Sequence, residues 1–147
     1  MKKLIMLSLV IILALSIIGA TPVLAESKGA VKQPVVEQSI RKGFSGPEKG
    51  KVIINSSANG MLNVVVQLKG AIQDTDLTAG LCRTDTWEKL GEGRMTTNGQ
   101  GNASVNIKYQ IPSDLVNASS MSVQLSVYTL NPTTPVYWSS YIEVPIK

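Results

Sequence analysis

The sequence predicts an all-β protein in which about seven antiparallel strands form two packed sheets. Three observations support this prediction. Apolar residues recur at every second position from residue 51 to the C-terminus, which is the period of a strand with one buried face. Turn-forming runs rich in Gly, Asn, Asp and Pro separate these stretches at intervals of about 8 to 15 residues. No segment of this part has the period of a helix long enough to connect parallel strands.

The first strands of this pattern are joined by a hairpin signal. Val52 and Ile54 begin the alternation, and the segment SSANG separates them from the next strand. The expected buried residues of the next two strands are aliphatic and alternate with largely polar neighbours: Leu62, Val64, Val66 and Leu68, then Leu77, Ala79 and Leu81. A weaker strand is expected between Trp87 and Thr97, where the segment GEG interrupts the pattern.

The C-terminal part has the clearest alternation. The segment NGQG is expected to form a hairpin turn, with Asn98 and Gly99 supplying the positive φ values. It precedes a strand whose expected buried side is Ala103, Val105, Ile107, Tyr109 and Ile111. The next strand is expected to bury Met121, Val123, Leu125 and Val127. Only the segment 111–120 between them is expected to hold a helical turn, with Ser113 as its N-cap.

The last strand brings several aromatic residues together. Alternation from residue 136 to residue 144 places Trp138 with Ile142 on the core side and Tyr137 with Tyr141 on the opposite side. Tyr128 falls on the polar face of the preceding strand. Tyr128, Tyr137 and Tyr141 are therefore the candidate ligand-binding residues, on an exposed face that suits a glycan or a protein. The alternative is ordinary cross-strand packing of the same rings.

The first 25 residues have the organisation of a secretory signal peptide. Lys2 and Lys3 precede an apolar run, and the small residue Ala25 ends the cleavage motif Val-Leu-Ala. We expect cleavage after Ala25 and a secreted or cell-envelope location. The alternative is an uncleaved anchor, because about 20 apolar residues can span a bilayer.

Residues 26–50 follow with a different composition. They are rich in Lys, Glu, Gly and Pro and have no sustained period, which predicts a flexible leader with at most a short strand or helical turn at residues 35–40. The expected domain organisation is a signal peptide at 1–25, a leader at 26–50 and a β-sandwich domain at 51–147.

One resemblance extends over about residues 50 to 147. The run NGMLNVVVQLKGA, the segment DLTAGLC, a tryptophan, the segment LGEGRMTTNGQGN and two closing strands resemble the small secreted immunoglobulin-like or fibronectin-like modules of prokaryotic surface proteins. The resemblance implies an immunoglobulin-like architecture. The Cys-Trp-Cys arrangement of true immunoglobulin domains is missing, so no functional residue is transferred to this chain.

Residue counts exclude several kinds of chemistry. The chain has no histidine, which removes the usual general base and the commonest metal ligand, so we expect no zinc or copper site and no cofactor. Asp74, Asp76 and Asp85 lack the spacing of a calcium loop and are expected in turns. The single Cys82 permits no intrachain disulfide; we expect a small buried residue, with an intermolecular disulfide or a reactive thiol as the alternative.

Charge and sequons complete the expectations about partners. The net charge of +4 includes Lys2 and Lys3, and no cluster of Lys or Arg indicates nucleic-acid binding. A membrane contact is expected only through an uncleaved signal. Asn55, Asn102 and Asn117 stand in N-x-S sequons and are glycosylation acceptors if the host modifies secreted proteins.

These observations predict a secreted or envelope-associated, non-enzymatic binding or adhesion module for a surface glycan or protein. One alternative is a structural or assembly subunit, in which the leader donates a strand to a neighbour or tethers the domain. A small secreted hydrolase is a further alternative, because paired acids far apart in the chain can meet in a fold. The oligomeric state and the partner stay open.

Overall fold

The computed structural model describes residues 30–37, 46–115, 117–130 and 133–146. Within these ranges the chain forms nine strands: β1 Val31–Glu37, β2 Glu48–Ser56, β3 Met61–Leu68, β4 Asp76–Arg83, β5 Lys89–Thr96, β6 Ala103–Gln110, β7 Ser120–Leu130, β8 Thr133–Ser139 and β9 Ile142–Pro145. A 3-10 helix, Ser113–Leu115, is the expected helical turn of segment 111–120. The all-β prediction is confirmed, and the signal peptide at 1–25 lies outside the described residues.

Hydrogen bonding links the strands into one curled antiparallel sheet. Its order is β5-β4-β7-β8-β1-β2-β3-β6, and β9 pairs with β7 next to β8. The terminal strands β5 and β6 come close to each other, so the sheet is nearly closed into a barrel. The antiparallel prediction is confirmed, whereas the structure does not show a division into two separate sheets.

The predicted buried faces form one hydrophobic core. In β3, β4 and β7 the residues that were predicted to be buried are at most 4% exposed. In β6 Ile107 is buried, while Val105 and Tyr109 pack partly buried against the same cluster. Full burial of an aliphatic side chain contributes about 1.5 to 3 kcal/mol, so this shared interior is the main source of stability. The alternation was readable in these strands because apolar residues occupy the inward positions and most outward positions are polar or small.

β1 corrects the prediction of a flexible leader at residues 26–50, in which a short strand or helical turn was expected only at residues 35–40. The strand lies inside the sheet, pairing with β2 from Val31 to Val36 and with β8 from Val35 to Glu37. β2 in turn begins at Glu48. The prediction failed because a bulge between Val35 and Val36 interrupts the alternation and because Pro34, which has no N–H to donate, is untypical of an inner strand. Residues 26–29 and 38–45 lie outside the described part.

The two predicted turns differ in outcome. SSANG forms the β2–β3 hairpin, closed by a bond from the Gly60 amide to the Ser57 carbonyl, with Gly60 at φ +73°. NGQG connects β5 to β6, but these strands are not hydrogen-bonded to each other, so the hairpin prediction is wrong. The left-handed residue in this turn is Gly101, at φ +73°, and neither Asn98 nor Gly99 adopts a positive φ. Side-chain oxygen Oδ1 of Asn98 accepts the amides of Gln100 and Asn102, which sets the turn locally.

β5 and β6 meet through side chains at the seam of the barrel. Gly91 and Gly93 of β5 face inward, opposite Leu81 and Ala79 of β4. A Cβ at Gly93 would lie 2.6 Å from Cγ2 of Val105, and a Cβ at Gly91 would lie 3.0 Å from Cγ2 of Ile107. The missing side chains thus let the branched residues of β6 pack directly on the β5 backbone, which closes the core without a hydrogen-bonded ladder.

Gly93→Ala should lower the free energy of unfolding by about 1 to 3 kcal/mol, because the short, stiff Val105 side chain leaves no room for the methyl group. Gly80→Ala is the matched control in neighbouring β4, where an added Cβ would make its nearest contact at 3.6 Å, with Cε1 of Tyr128. This control should stay within about 0.5 kcal/mol of the unmodified chain. Urea titrations followed by circular dichroism measure the stability of both variants. Equal stability would contradict the close packing of Val105 on the β5 backbone at Gly93.

Candidate functional site

Tyr137 does not lie on an exposed face. It is 2% exposed, and its hydroxyl oxygen accepts a hydrogen bond of 2.8 Å from the backbone amide of Ile72. Burial raises the pKa of the Tyr137 phenol. The predicted exposed position is therefore wrong, and this tyrosine connects β8 to the β3–β4 loop.

A break between β8 and β9 explains the error. β7 pairs first with β9 and then with β8, and Ser140 and Tyr141 stand between the two partners. At this break the buried Ser139 side chain accepts the amide of Leu125 at 3.0 Å, in place of a backbone carbonyl. The alternation of inward and outward residues shifts by one position at the break. Tyr137 and Ser139 face inward before it, and Ile142 faces inward after it. Trp138, predicted in the core, is only partly buried.

Tyr128 lies on the outer face of β7, as predicted, and it is engaged with its own sheet. Its ring lies over Gly80, and its hydroxyl donates to Oε2 of Glu92 at 3.0 Å. The same carboxylate accepts from the Lys89 ammonium at 2.9 Å, which lowers the pKa of Glu92 together with the Tyr128 bond. Burial and the contact with Glu92 raise the pKa of Tyr128. The Tyr128 ring therefore covers the space that Gly80, which has no side chain, leaves on the outer surface of the sheet.

Tyr141 is the candidate tyrosine that is exposed. The ring is 55% exposed and stands edge-on to Trp87, which is itself 60% exposed; the ring centroids are 6.5 Å apart and the planes make an angle of 65°. We call Trp87 and Tyr141 the aromatic pair. The sequence prediction did not include Trp87 in a site, although a tryptophan in the polar segment TDTWEK was a usable signal.

The loop that carries Trp87 is held by Arg83. This residue is 6% exposed, and its guanidinium donates to both carboxylate oxygens of Asp85, at 3.0 and 2.7 Å. It also donates to Asp114 of the 3-10 helix at 3.1 Å, and Glu88 lies 3.9 Å away. The guanidinium holds the pKa of Asp85 below its usual value, and these bonds raise the pKa of Arg83 further. The β4–β5 loop is therefore fixed to the segment that follows β6.

Trp87 itself adopts a left-handed backbone conformation, with φ +57°. This conformation costs about 1 to 2 kcal/mol for a residue with a Cβ and is usually left to glycine or asparagine. The turn around it is closed by the Arg83 amide donating to the Glu88 carbonyl at 2.9 Å. A bulky aromatic residue is thus placed in an unfavourable conformation and exposed to solvent, where it adds little to the core.

The surroundings of the aromatic pair are acidic. Three carboxylates, those of Asp85, Glu88 and Asp114, stand around the single guanidinium of Arg83. The side chains of these three acids are each more than half exposed, so the excess negative charge faces solvent. A ligand at this end of the sheet therefore meets flat rings and a negative field.

The other predicted acids and the cysteine have local roles. Asp74 adopts φ +47° in the β3–β4 turn, and Asp76 accepts from Thr96 Oγ1 at 2.7 Å. Within the described ranges no group of three His, Cys, Asp or Glu residues is placed to hold a metal ion. Cys82 is partly buried on the outer face of β4, and burial raises the pKa of its thiol.

The sequon residues differ in exposure. Asn117 is exposed, whereas Asn55 in β2 and Asn102 before β6 are half-buried. Asn117 is therefore the most accessible of the three to a modifying enzyme.

Among the described residues no helix has the length and apolar character needed to cross a membrane. Comparison of the chain with protein-family models, with curated proteins and with solved structures gives no match.

Proposed function

We propose that this chain is a secreted or envelope-associated, non-enzymatic binding module that contacts its partner through the aromatic pair. The observation that carries the proposal is the placement of Trp87 and Tyr141, two large rings in mutual contact and each more than half exposed. Tryptophan and tyrosine are the residues that contribute most often to binding energy, because they bring large contact areas at a small entropic cost. Secretion and cleavage after Ala25 belong to the same proposal.

The conformation of Trp87 supports a role in binding. A residue at φ +57° costs stability unless it is glycine, and the exposed indole recovers little of this cost by burial. The rigid loop held by Arg83 presents the ring in one orientation, which lowers the entropy lost when a partner binds.

The charges around the pair restrict the partner. The carboxylates of Asp85, Glu88 and Asp114 repel anions, so the partner offers a neutral or positively charged surface. A surface glycan without acid groups, or a protein segment that carries Lys or Arg, meets this requirement. Sugar faces stack on aromatic rings, and cations are attracted to them.

The finer architecture is also part of the proposal. In the strand order, β8 and β1 separate the group β5, β4 and β7 from the group β2, β3 and β6, and both groups contribute buried residues to one cluster. An immunoglobulin-like sandwich, in which the curled sheet is flattened over this core, accounts for that arrangement.

The alternative of an assembly subunit has less support. Strand donation by the leader needs a segment free to leave its own domain. The part of that leader that forms β1 is paired on both sides within its own chain. For a hydrolase no acid pair in a cleft favours the assignment among the described residues.

Trp87→Asn and Tyr141→Ser test the proposal. Both should leave the free energy of unfolding within about 0.5 kcal/mol, since both side chains are exposed and asparagine tolerates a left-handed backbone. Tyr128→Phe, on the outer face of β7 and five residues along that strand from Val123, beside which the aromatic pair lies, is the control. The probes are an array of neutral glycans, chitosan oligosaccharides and lysine-rich peptides.

Binding to one of these probes should fall about tenfold in both variants and stay unchanged in the control. Trp87 and Trp138 are the only tryptophans, so quenching of fluorescence that disappears in Trp87→Asn reports contact at the pair. Binding that survives both substitutions would contradict the proposal, and so would a stability loss of about 2 kcal/mol in Trp87→Asn, which would make the pair structural.

A further inference from the structure

The outer face formed by β1, β2, β3 and β6 carries lysines from several strands. Lys51 of β2 and Lys108 of β6 point outward, because their neighbours Val52 and Ile107 are buried in the core. Lys69 follows directly after β3. Within the described part of the chain none of these three ammonium groups has a carboxylate within 4.0 Å. Their charge is therefore available to a ligand.

A groove of about 1060 Å³ crosses this face. Its floor includes Val65, an outward residue that is only 7% exposed. Its polar lining is dominated by lysines and side-chain amides: Lys51, Lys69, Gln67, Asn98, Asn102 and Asn106. We call this the lysine groove. Asn98 and Lys69 belong to turns at the end of the sheet opposite to the loop of Trp87, so the groove and the aromatic pair are separate surfaces.

The spacing of charge indicates an extended ligand. Lys108 lies just outside the lining of the groove, two residues beyond Asn106 along β6, and extends its positive face. Lys108 pairs across from Asn63, and Lys51 pairs across from Gln67, so the two lysines stand two strands apart and four residues along the sheet. Strand geometry puts their Cα atoms about 16 Å apart. A single phosphate or sulfate is too small to meet both, whereas a polymer with regularly repeated anionic groups meets them in turn.

The other lining residues indicate which polymer. A side-chain amide both donates and accepts hydrogen bonds, which matches the hydroxyl groups of sugars. The oxygen of Asn98 is already engaged in its own turn, so Gln67 and Asn106 are the amides that offer both functions. Nucleic-acid surfaces of this kind use aromatic rings for base stacking and arginine for base edges, and the residues that line the groove include neither. One carboxylate, that of Glu48, also lines the groove and disfavours a polymer whose anionic groups are very closely spaced.

We propose that the lysine groove binds an anionic polysaccharide, with the lysines pairing with its carboxylate or sulfate groups and the amides bonding to its hydroxyls. This site is independent of the aromatic pair and takes a ligand of the opposite charge. Its affinity falls with salt, because the charged groups are exposed and screened.

The test uses the full protein, with heparin and polygalacturonate as anionic probes and dextran as the neutral one. Lys51→Gln combined with Lys69→Gln should raise the dissociation constant for both anionic probes about tenfold at low salt. The charge-matched control is Lys89→Gln combined with Arg94→Gln on β5, because neither residue lines the groove. It should change the constant less than about twofold, and dextran should not bind.

Asn106→Ala separates a polysaccharide site from a general polyanion surface. It should weaken binding of polygalacturonate about threefold and that of inorganic polyphosphate less, because sugar hydroxyls use both the donor and the acceptor of the amide, whereas phosphate oxygens use only the donor. The proposal is overturned by equal losses in the two charge variants, or by polyphosphate or single-stranded DNA binding as tightly as both polysaccharides. It is also overturned if sedimentation without polysaccharide shows oligomers that Lys51→Gln with Lys69→Gln abolishes, since a second copy would then occupy the groove.

Discussion

Val35→Asp should unfold the protein or leave it barely stable. Val35 is fully buried in β1. The described residues of the core cluster include no Lys or Arg that could pair with the new carboxylate. Burying an unpaired carboxylate and losing the aliphatic packing together cost about 4 to 5 kcal/mol. A domain of this size has only about 5 to 15 kcal/mol to lose. Far-ultraviolet circular dichroism during a urea titration measures the shift of the midpoint.

The position of β1 is the reason for so large an effect. The strand joins β2 to β8, and these belong to the two halves of the curled sheet. Displacing it opens the barrel on the side away from the β5–β6 seam. Pro34→Ser, on the exposed side of the same strand, is the control and should stay within about 0.5 kcal/mol. If Val35→Asp folded as stably as this control, residues 31–37 would be a leader and not a strand of the core.

Gly101→Ala should lower the free energy of unfolding by about 3 kcal/mol. Gly101 has φ +73°, where a side chain is strained, and an added Cβ would overlap the carbonyl oxygen of Ala71 and lie 2.6 Å from its amide nitrogen. The two backbones are also joined here by a hydrogen bond of 3.0 Å from the Ala71 amide to the Gly101 carbonyl. Thermal or urea unfolding measures the loss.

Gly99→Ala provides the matched control for this turn. A Cβ at Gly99 would find its nearest neighbours, the carboxylate oxygens of Asp74, at 3.9 Å, and its φ is not in the left-handed region. Its stability should therefore change by less than about 0.5 kcal/mol. Equal losses of stability at the two glycines would contradict this explanation. They would mean that any side chain in the turn is destabilising, whether or not it meets Ala71.

The strands whose faces were predicted correctly share one property. In β3, β4 and β7 the inward positions are aliphatic and most outward positions are polar or small, so the alternation admits one phase only. The segment VYWSSYIEV has large apolar or aromatic residues on both faces, and either phase fits a local pattern. A break at Ser140 and Tyr141 then gives Tyr137 and Ile142 the same inward direction.

The candidate sites depended even more on tertiary structure. Trp87 and Tyr141 meet because β4 and β9 both pair with β7, which brings the β4–β5 loop next to the break before β9. The lysine groove likewise combines residues of β2, β3 and β6 with two turns. Aromatic and lysine residues were visible in the sequence, but their neighbours follow from strand order, which a single sequence does not encode locally.

The sequence by itself determined the all-β class, the absence of histidine chemistry and the buried face of every strand with one clear alternation. These properties are local, since the period of a strand is two residues and each residue contributes independently of distant partners. The tertiary structure decided the membership of β1 in the sheet, the phase of β8, the closure at Gly91 and Gly93, and the surfaces open to ligands. Each of these depends on which strands pair and where a bulge shifts the register, because a slip of one residue moves every side chain to the other face.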